Sequence, residues 1–162
     1  MTVSEHSQAI RARISGFWRL VDVVAFAIPS GTPIDPGGSP AGYIYYDPSG
    51  FMLVFMTRGV RPLPAAEVLS KDECERLMKT MTSYCGRWRV EPDASQDTGL
   101  LFHDIEVSWN EIWNGSSQRR EFKLESNRLS LSTSQPDQHT GVPINRSLIW
   151  ERVADTQQGS MQ

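Results

Sequence analysis

The stretch QRREFKLESNRLSLST, residues 118–133, indicates the architecture of the chain most directly. From Arg119 to Glu125 every odd position is charged, whereas Phe122 and Leu124 occupy even positions. A period of two is typical of a β-strand with one buried face. The letters ESNR then form a turn signal, after which alternation resumes in RLSLST. The stretch predicts two antiparallel strands joined by a tight turn and buried on one side.

Six further segments are rich in β-branched and aromatic residues or alternate in polarity. The eight predicted strands are Phe17–Phe26, Ala41–Tyr46, Phe51–Thr57, Arg87–Glu91, Leu100–Trp109, Gln118–Leu124, Leu129–Thr133 and Ile144–Val153. Most links between them are of hairpin size, so we expect an up-and-down antiparallel meander. Closing this meander into an all-β, eight-stranded barrel would remove its unpaired edges. Such a barrel is either filled by its own side chains or holds one small ligand.

One amphipathic helix interrupts the strands. Ser70 and Glu73 form a capping box, and Gly86 is the predicted end of the helix. Its apolar side chains recur at the helical spacing, at Cys74, Leu77, Met78, Met81 and Tyr84. A shorter helix is expected from Ser4 to about Ile14. The longer links all fall at one end of the meander, so we expect the mouth of a ligand cavity there, with the amphipathic helix beside it.

Length and charge limit the class of protein. The 162 residues are expected to form a single domain with its core at 14–153 and a disordered polar tail at 154–162. The net charge of −3 argues against a nucleic-acid binder. No apolar run is long enough to span a bilayer, and the N-terminal residues lack the apolar core of a secretion signal, so we expect no membrane partner and a cytoplasmic protein.

The sequence contains no phosphate loop, dinucleotide fingerprint or cluster of metal ligands. Cys74 and Cys85 lie eleven residues apart in a stretch that we expect to be helical, too far apart for a disulfide. We therefore expect neither a metal nor a cofactor.

Motifs at both ends of the chain resemble those of a known family. Gly16-Phe17-Trp18 opens the first strand, as the glycine-x-tryptophan signature does in lipocalins, and Trp150-Glu151-Arg152 lies on the last strand. The intervening motifs most resemble the small lipocalin-like domain family of bacteria and fungi: Gly42–Gly50, Tyr84–Trp88, His103–Ser108, Arg120–Phe122 and Arg128–Leu131.

The resemblance covers roughly residues 14–153. It implies a lipocalin-type barrel in which Arg152 packs across Trp18 at the closed end, a structural role. Some members of the family are similar to proteins encoded with fungal secondary-metabolite pathways, where small barrels act as cofactor-free cyclases or isomerases. Because one fold serves many functions, this activity is an analogy.

His103 and Arg120 are the leading candidates for chemistry. His103 lies on the more apolar face of its strand and could act as a general acid or base, contact a ligand, or serve as a buried structural imidazole. Arg120 is inward by alternation, so it must be paired or contact a ligand carbonyl or enolate. We expect Val107 opposite Arg120 and His103 opposite Leu124, which would place Arg120 nearer the mouth.

Asp22 is a third catalytic candidate. It is a carboxylate in an otherwise apolar strand, and it would pair with Arg120 if the parity of that strand turns it inward, or else face outward.

An aromatic and sulfur-rich set of side chains could line the mouth and bind a flat apolar ligand, although each is also ordinary core material. The substrate-binding candidates are Tyr43, Tyr45, Trp88, Trp109, Trp113, Met52 and Met56, with Met78 and Met81 on the helix.

Three functions remain open at this point. The first is a cofactor-independent cyclase, isomerase or dehydratase for an apolar polyketide- or terpenoid-like molecule. The second is a non-catalytic carrier of a similar ligand. The third is a barrel filled by its own side chains that acts through its surface, and a homodimer is left open. An open cavity lined by His103 and Arg120 would favour the first two.

Overall fold

A computed structural model describes residues 3–35, 37–95, 97–136 and 143–154. The two helices are α1 (Val3–Ile14) and α2 (Lys71–Lys79), and a single 3₁₀ turn spans Glu111–Trp113. The strands are β1 (Gly16–Ala27), β2 (Pro33–Ile34), β3 (Ala41–Tyr46), β4 (Phe51–Thr57), β5 (Met81–Pro92), β6 (Thr98–Ser108), β7 (Ser117–Glu125), β8 (Arg128–Pro136) and β9 (Pro143–Arg152).

The strands form a closed antiparallel barrel. Each strand from β3 to β8 pairs with the strand that follows it in the chain, and β1 pairs with β3. The sheet is closed because β1 also pairs with β9. The two-residue β2 is an additional strand at the end of β1. The eight-stranded up-and-down barrel predicted from the sequence is therefore confirmed, because closure gives both long edges a partner.

Helix α1 closes the end of the barrel at which β1 begins, which we call the floor. Ile10 and Ile14 on this helix are almost completely buried, and the indole Nε1 of Trp18 donates to the Ile14 carbonyl over 2.7 Å. The side chain of Ser7 donates to the carbonyl of Val90 near the end of β5. Burying the apolar face of α1 in this way seals the floor.

Helix α2 is shorter than the sequence pattern predicted. The capping box of Ser70 and Glu73 is present, but the helix ends at Lys79, and β5 begins at Met81 instead of Arg87. Every even position from 82 to 90 is buried and residues 81–87 pair with β4, so sheet pairing outweighs the helical spacing of the apolar residues. Consequently Tyr84 and Cys85 lie on a strand, and the prediction of one continuous helix to Gly86 is wrong.

Two β-bulges shift the side-chain parity of the strands that carry them. Register shifts occur between Leu20 and Asp22 on β1 and between Cys85 and Gly86 opposite β6. An extra residue in one strand reverses which later positions face inward. Val107, which we expected inside, is for this reason an exposed residue.

No helix in the described ranges is long and apolar enough to span a membrane. Residues 155–162, most of the expected disordered tail, lie outside the described part of the chain, as does His139.

Candidate functional site

The upper half of the barrel, away from the floor, encloses a cavity of about 460 Å³. This volume falls within the range of small-molecule pockets. Its walls combine polar side chains with apolar and aromatic ones, and the latter include Ile44, Val54, Leu131, Leu148, Trp109 and Trp113. The interior is therefore not filled by its own side chains.

A buried tyrosine–histidine–tyrosine cluster borders this cavity. The hydroxyl of Tyr46 lies 2.8 Å from Nε2 of His103, and the hydroxyl of Tyr84 lies 2.8 Å from Nδ1 of the same ring. His103 and Tyr84 line the cavity, whereas Tyr46 does not. Both imidazole nitrogens are thus occupied by phenols, and the His103 ring is 1% exposed.

Burial keeps this cluster neutral. It lowers the pKa of His103 well below its ordinary value, and the positive charge of Arg120 acts in the same direction. Burial also raises the pKa of Tyr46 well above its ordinary value. The pKa of Tyr84 is likewise raised by burial, although the charge of Arg120 and hydrogen bonding to it oppose that shift.

Arg120 projects into the same cavity from β7. It is half-buried, lines the cavity, and its Nη1 donates to the carbonyl of Arg119 over 2.8 Å. The register pairs Arg120 with Leu101 and His103 with Gln118, so the expected pairings with Val107 and Leu124 are wrong. The expected register is off by six residues on β6, because the β6–β7 ladder ends at Asp104 and Ser117 and the chain between them forms the connection that includes the 3₁₀ turn. Along the strands Arg120 is therefore nearer the floor than His103.

Three more cationic side chains, Arg58, Lys79 and Arg146, line the cavity. The Arg58 guanidinium donates to Oγ1 of Thr82 and to the carbonyl of Lys79, each over 3.1 Å. Burial lowers the pKa of Arg58, and the nearby charge of Arg146 adds to this shift. With Arg120, the cavity has four cationic side chains, and no Asp or Glu belongs to the described part of its lining.

Three of the seven predicted substrate-binding residues line the cavity, namely Trp109, Trp113 and Met56. Two others, Trp88 and Met52, are buried in the core. The indole of Trp88 donates to the carbonyl of Asp47, at the turn before β4. These two positions therefore support the barrel near its floor. On α2, Met78 is 44% exposed, and Met81 lies instead on β5.

The remaining site predictions fall on the outside of the barrel. Tyr43 is 51% exposed, and Tyr45 stacks on Phe17 on the outer face with ring centroids 4.3 Å apart. Asp22 is exposed and accepts a hydrogen bond from the backbone of Val23, because the β1 bulge turns it outward. The expectation that Tyr43 and Tyr45 line the mouth is therefore wrong, and of the two alternatives for Asp22 the outward one is observed.

Four residues contribute to the site although the sequence did not predict them there, namely Tyr46, Tyr84, Thr82 and Arg58. The signal for Tyr46 was present, because Tyr46 pairs with Met52 in the β3–β4 hairpin and paired residues share a face. An inward Met52 therefore requires an inward Tyr46 and an outward Tyr45. The position of Arg58, at the start of a long loop, left no comparable signal.

Within the described ranges there is no group of three His, Cys, Asp or Glu side chains that could hold a metal ion. The cavity lining combines apolar and aromatic walls with cationic and phenolic groups.

The sequence was compared with known protein families. Residues 15–153 match the lipocalin-like domain family. The chain belongs to the lipocalin-like domain family. Among curated proteins, the lipocalin-like chain is similar to the 4′-hydroxy-3′-methoxypropiophenone carrier protein of Aspergillus oryzae. The two are 29% identical over 84 residues, which make up 51% of this chain and 76% of that protein.

Proposed function

We propose that this protein is a carrier for a small, mostly apolar, aromatic molecule bound in the barrel cavity. The supporting observation is the cavity of about 460 Å³, which is open at the end opposite α1 and is lined by Trp109 and Trp113. Flat ring systems pack well against indoles, and the volume suits one small ligand. The similarity to a carrier of an aryl ketone supports the same class of ligand.

The environment of His103 supports transport over proton-transfer catalysis. A general base needs an accessible nitrogen and a pKa near the working pH. Both nitrogens of His103 already bond to phenols, and its pKa is well below the ordinary value. In this proposal, the His103 ring shapes the wall of the cavity, and the ligand contacts the residues beside that ring.

The proposal places the carrier in the cytoplasm, within a secondary-metabolite pathway. Both cysteines are free and exposed, which suits a reducing compartment. No cofactor is part of the proposal.

A binding titration tests it. Aryl ketones, beginning with 4′-hydroxy-3′-methoxypropiophenone, are added while tryptophan fluorescence is followed, since three of the five tryptophans line the cavity. Leu148→Trp fills the cavity from β9 and is expected to abolish binding, whereas Val107→Trp, on the outer face of β6, is expected to leave it unchanged. Equal binding by both variants would place the ligand elsewhere.

Cofactor-free cyclisation or isomerisation is the second candidate. What favours it is Arg120 beside the Tyr84 phenol, since two donors on one carbonyl oxygen would stabilise an enolate. In this case Arg120→Ala would abolish turnover of a bound ketone while leaving its affinity nearly intact. If Arg120→Ala and His103→Ala change affinity alone, the carrier function stands and the catalytic one is refuted.

A further inference from the structure

The hydrogen-bonding capacity of the buried cluster fixes the direction of its protons. A neutral imidazole has one N–H donor and one acceptor nitrogen, so one tyrosine must donate to His103 and the other must accept from it. The order is decided by which phenol has an alternative acceptor for its own proton.

Tyr46 has no alternative. Its side chain is fully buried, it does not line the cavity, and the described residues provide its hydroxyl with no partner other than His103. If Nε2 of His103 carried the proton, the Tyr46 hydroxyl would be a buried donor without an acceptor. Such a group costs about 1–3 kcal/mol. Tyr46 therefore donates to Nε2, and the His103 proton resides on Nδ1.

Tyr84 then accepts from Nδ1–H of His103, and its own proton is left for the cavity that it lines. Arg120 lies beside this hydroxyl as a second donor group. Two indole N–H groups in the lining, those of Trp109 and Trp150, are also buried without an acceptor within the described part of the chain. The cavity thus presents several donors and cationic groups around an apolar space.

We propose that Tyr84 donates its hydroxyl proton to an acceptor oxygen of the ligand, and that the ligand is a small apolar molecule with a ketone-type or deprotonated oxygen. The chain Tyr46→His103→Tyr84 makes Tyr84 an obligatory donor and so selects against ligands whose buried end lacks an acceptor. This inference rests on the proposed carrier function for its ligand, but the direction of the chain is a property of the protein alone.

The first measurement needs no ligand. His6→Gln combined with His139→Gln leaves His103 as the only histidine, since the chain has three. Long-range proton–nitrogen NMR of the ¹⁵N-histidine-labelled protein is expected to show the proton on Nδ1. In a free neutral histidine side chain the proton is mainly on Nε2. A proton on Nδ1 would therefore differ from the state that an unconstrained ring adopts. A proton on Nε2 would overturn the proposal.

The second measurement uses a matched ligand pair, an aryl alkyl ketone and the alkylbenzene of the same skeleton. The protein is expected to prefer the ketone, and Tyr84→Phe is expected to reduce ketone affinity by roughly fivefold to tenfold, the value of one hydrogen bond. Affinity for the alkylbenzene should be unchanged. Tyr43→Phe, on the outer face, is the matched control and is expected to have no effect.

The outcomes separate the two proposals. If neither compound binds while the proton is on Nδ1, the carrier function is wrong but the direction of the chain is confirmed. If both compounds bind with equal affinity, or if Tyr84→Phe leaves the preference intact, the acceptor-oxygen proposal is overturned and the carrier function survives.

Discussion

The guanidinium carbon of Arg152, near the end of β9, lies 4.1 Å from the centroid of the Trp18 ring on β1. The two residues are direct partners in the β1–β9 ladder, and Nη1 of Arg152 donates to the carbonyl of Ser15 over 2.8 Å. Nη2 donates to the carbonyl of Arg13 at the end of α1. Arg152 therefore joins the last strand, the first strand and the floor helix.

Arg152→Met is expected to lower the free energy of unfolding by about 2 kcal/mol or more, because it removes charged hydrogen bonds and a cation–π contact while keeping most of the volume. Urea unfolding measures the change. Arg128→Met, an exposed arginine in the β7–β8 hairpin, is the control and should cost less than about 0.5 kcal/mol. Equal losses would contradict the structural role of Arg152.

Gly86 is tightly enclosed at the bulge. A Cβ at this position would lie 2.1 Å from the backbone oxygen of Asp104, and a backbone atom cannot move away cheaply. Gly86→Ala is therefore expected to destabilise the protein by about 2 kcal/mol or more. Gly31→Ala has open space around it and a φ of +70°, so its cost should be only about 1 kcal/mol. Thermal or urea unfolding of both variants tests this order, and a reversed order would refute it.

His103 makes stability depend on pH in one direction. Its folded pKa is well below the ordinary value of 6.5, so below about pH 6.5 the unfolded state takes up a proton that the native state does not bind. The free energy of unfolding should therefore fall by up to about 1.4 kcal/mol per pH unit as the pH decreases from 6.5. Above about pH 6.5, His103 no longer contributes to the pH dependence of the free energy of unfolding.

The measurement is the difference in pH slope between the wild type and His103→Gln, which removes this titration but leaves the carboxylates in place. Val107→Ala, which changes no titratable group and lies on the outer face, serves as the control and should keep the wild-type slope. Identical slopes for all three proteins would show that His103 titrates normally in the folded state.

The homodimer left open by the sequence stays a prediction, and the outer face of the barrel offers a surface for it. One row of this face runs across paired strands and contains Phe17, Tyr45, Leu53 and Val107. Three of these side chains, Phe17, Leu53 and Val107, are each about half exposed or more. Exposed apolar patches of this kind commonly mark association sites. We expect Leu53→Lys to weaken self-association in analytical ultracentrifugation.

Ile112→Lys, on the 3₁₀ turn outside this row, is the control and should not change the sedimentation. A wild-type protein that stays monomeric at all concentrations tested would make the homodimer prediction wrong.

The barrel was predictable because its strands carry strong alternation. Phe122 and Leu124 face inward as expected, and so do Leu129 and Leu131. These positions lie in strands whose other face is charged or polar, so a slip of one residue would bury those polar side chains. Burial thus enforces the same parity that the sequence displays.

The site was less predictable, because bulges and strands that are apolar on both faces hide which alternate side chains point inward. Asp22 and Val107 each lie beyond a bulge, and a single inserted residue moves a side chain to the other face without a signal in composition. In β3, aromatic residues occupy both faces, so only the pairing of Tyr46 with Met52 distinguishes the inner tyrosine. Tyr84 was assigned to a helix because its spacing also fits a period of 3.6.

The floor sealed by α1 has a kinetic consequence for a carrier. With the floor closed by α1, a ligand of the proposed carrier would enter and leave through the open end of the barrel, so loading and delivery would share one opening. An enzyme that hands over or receives this ligand directly would dock at that opening. Two such enzymes would then compete for one surface and could not be engaged at the same time.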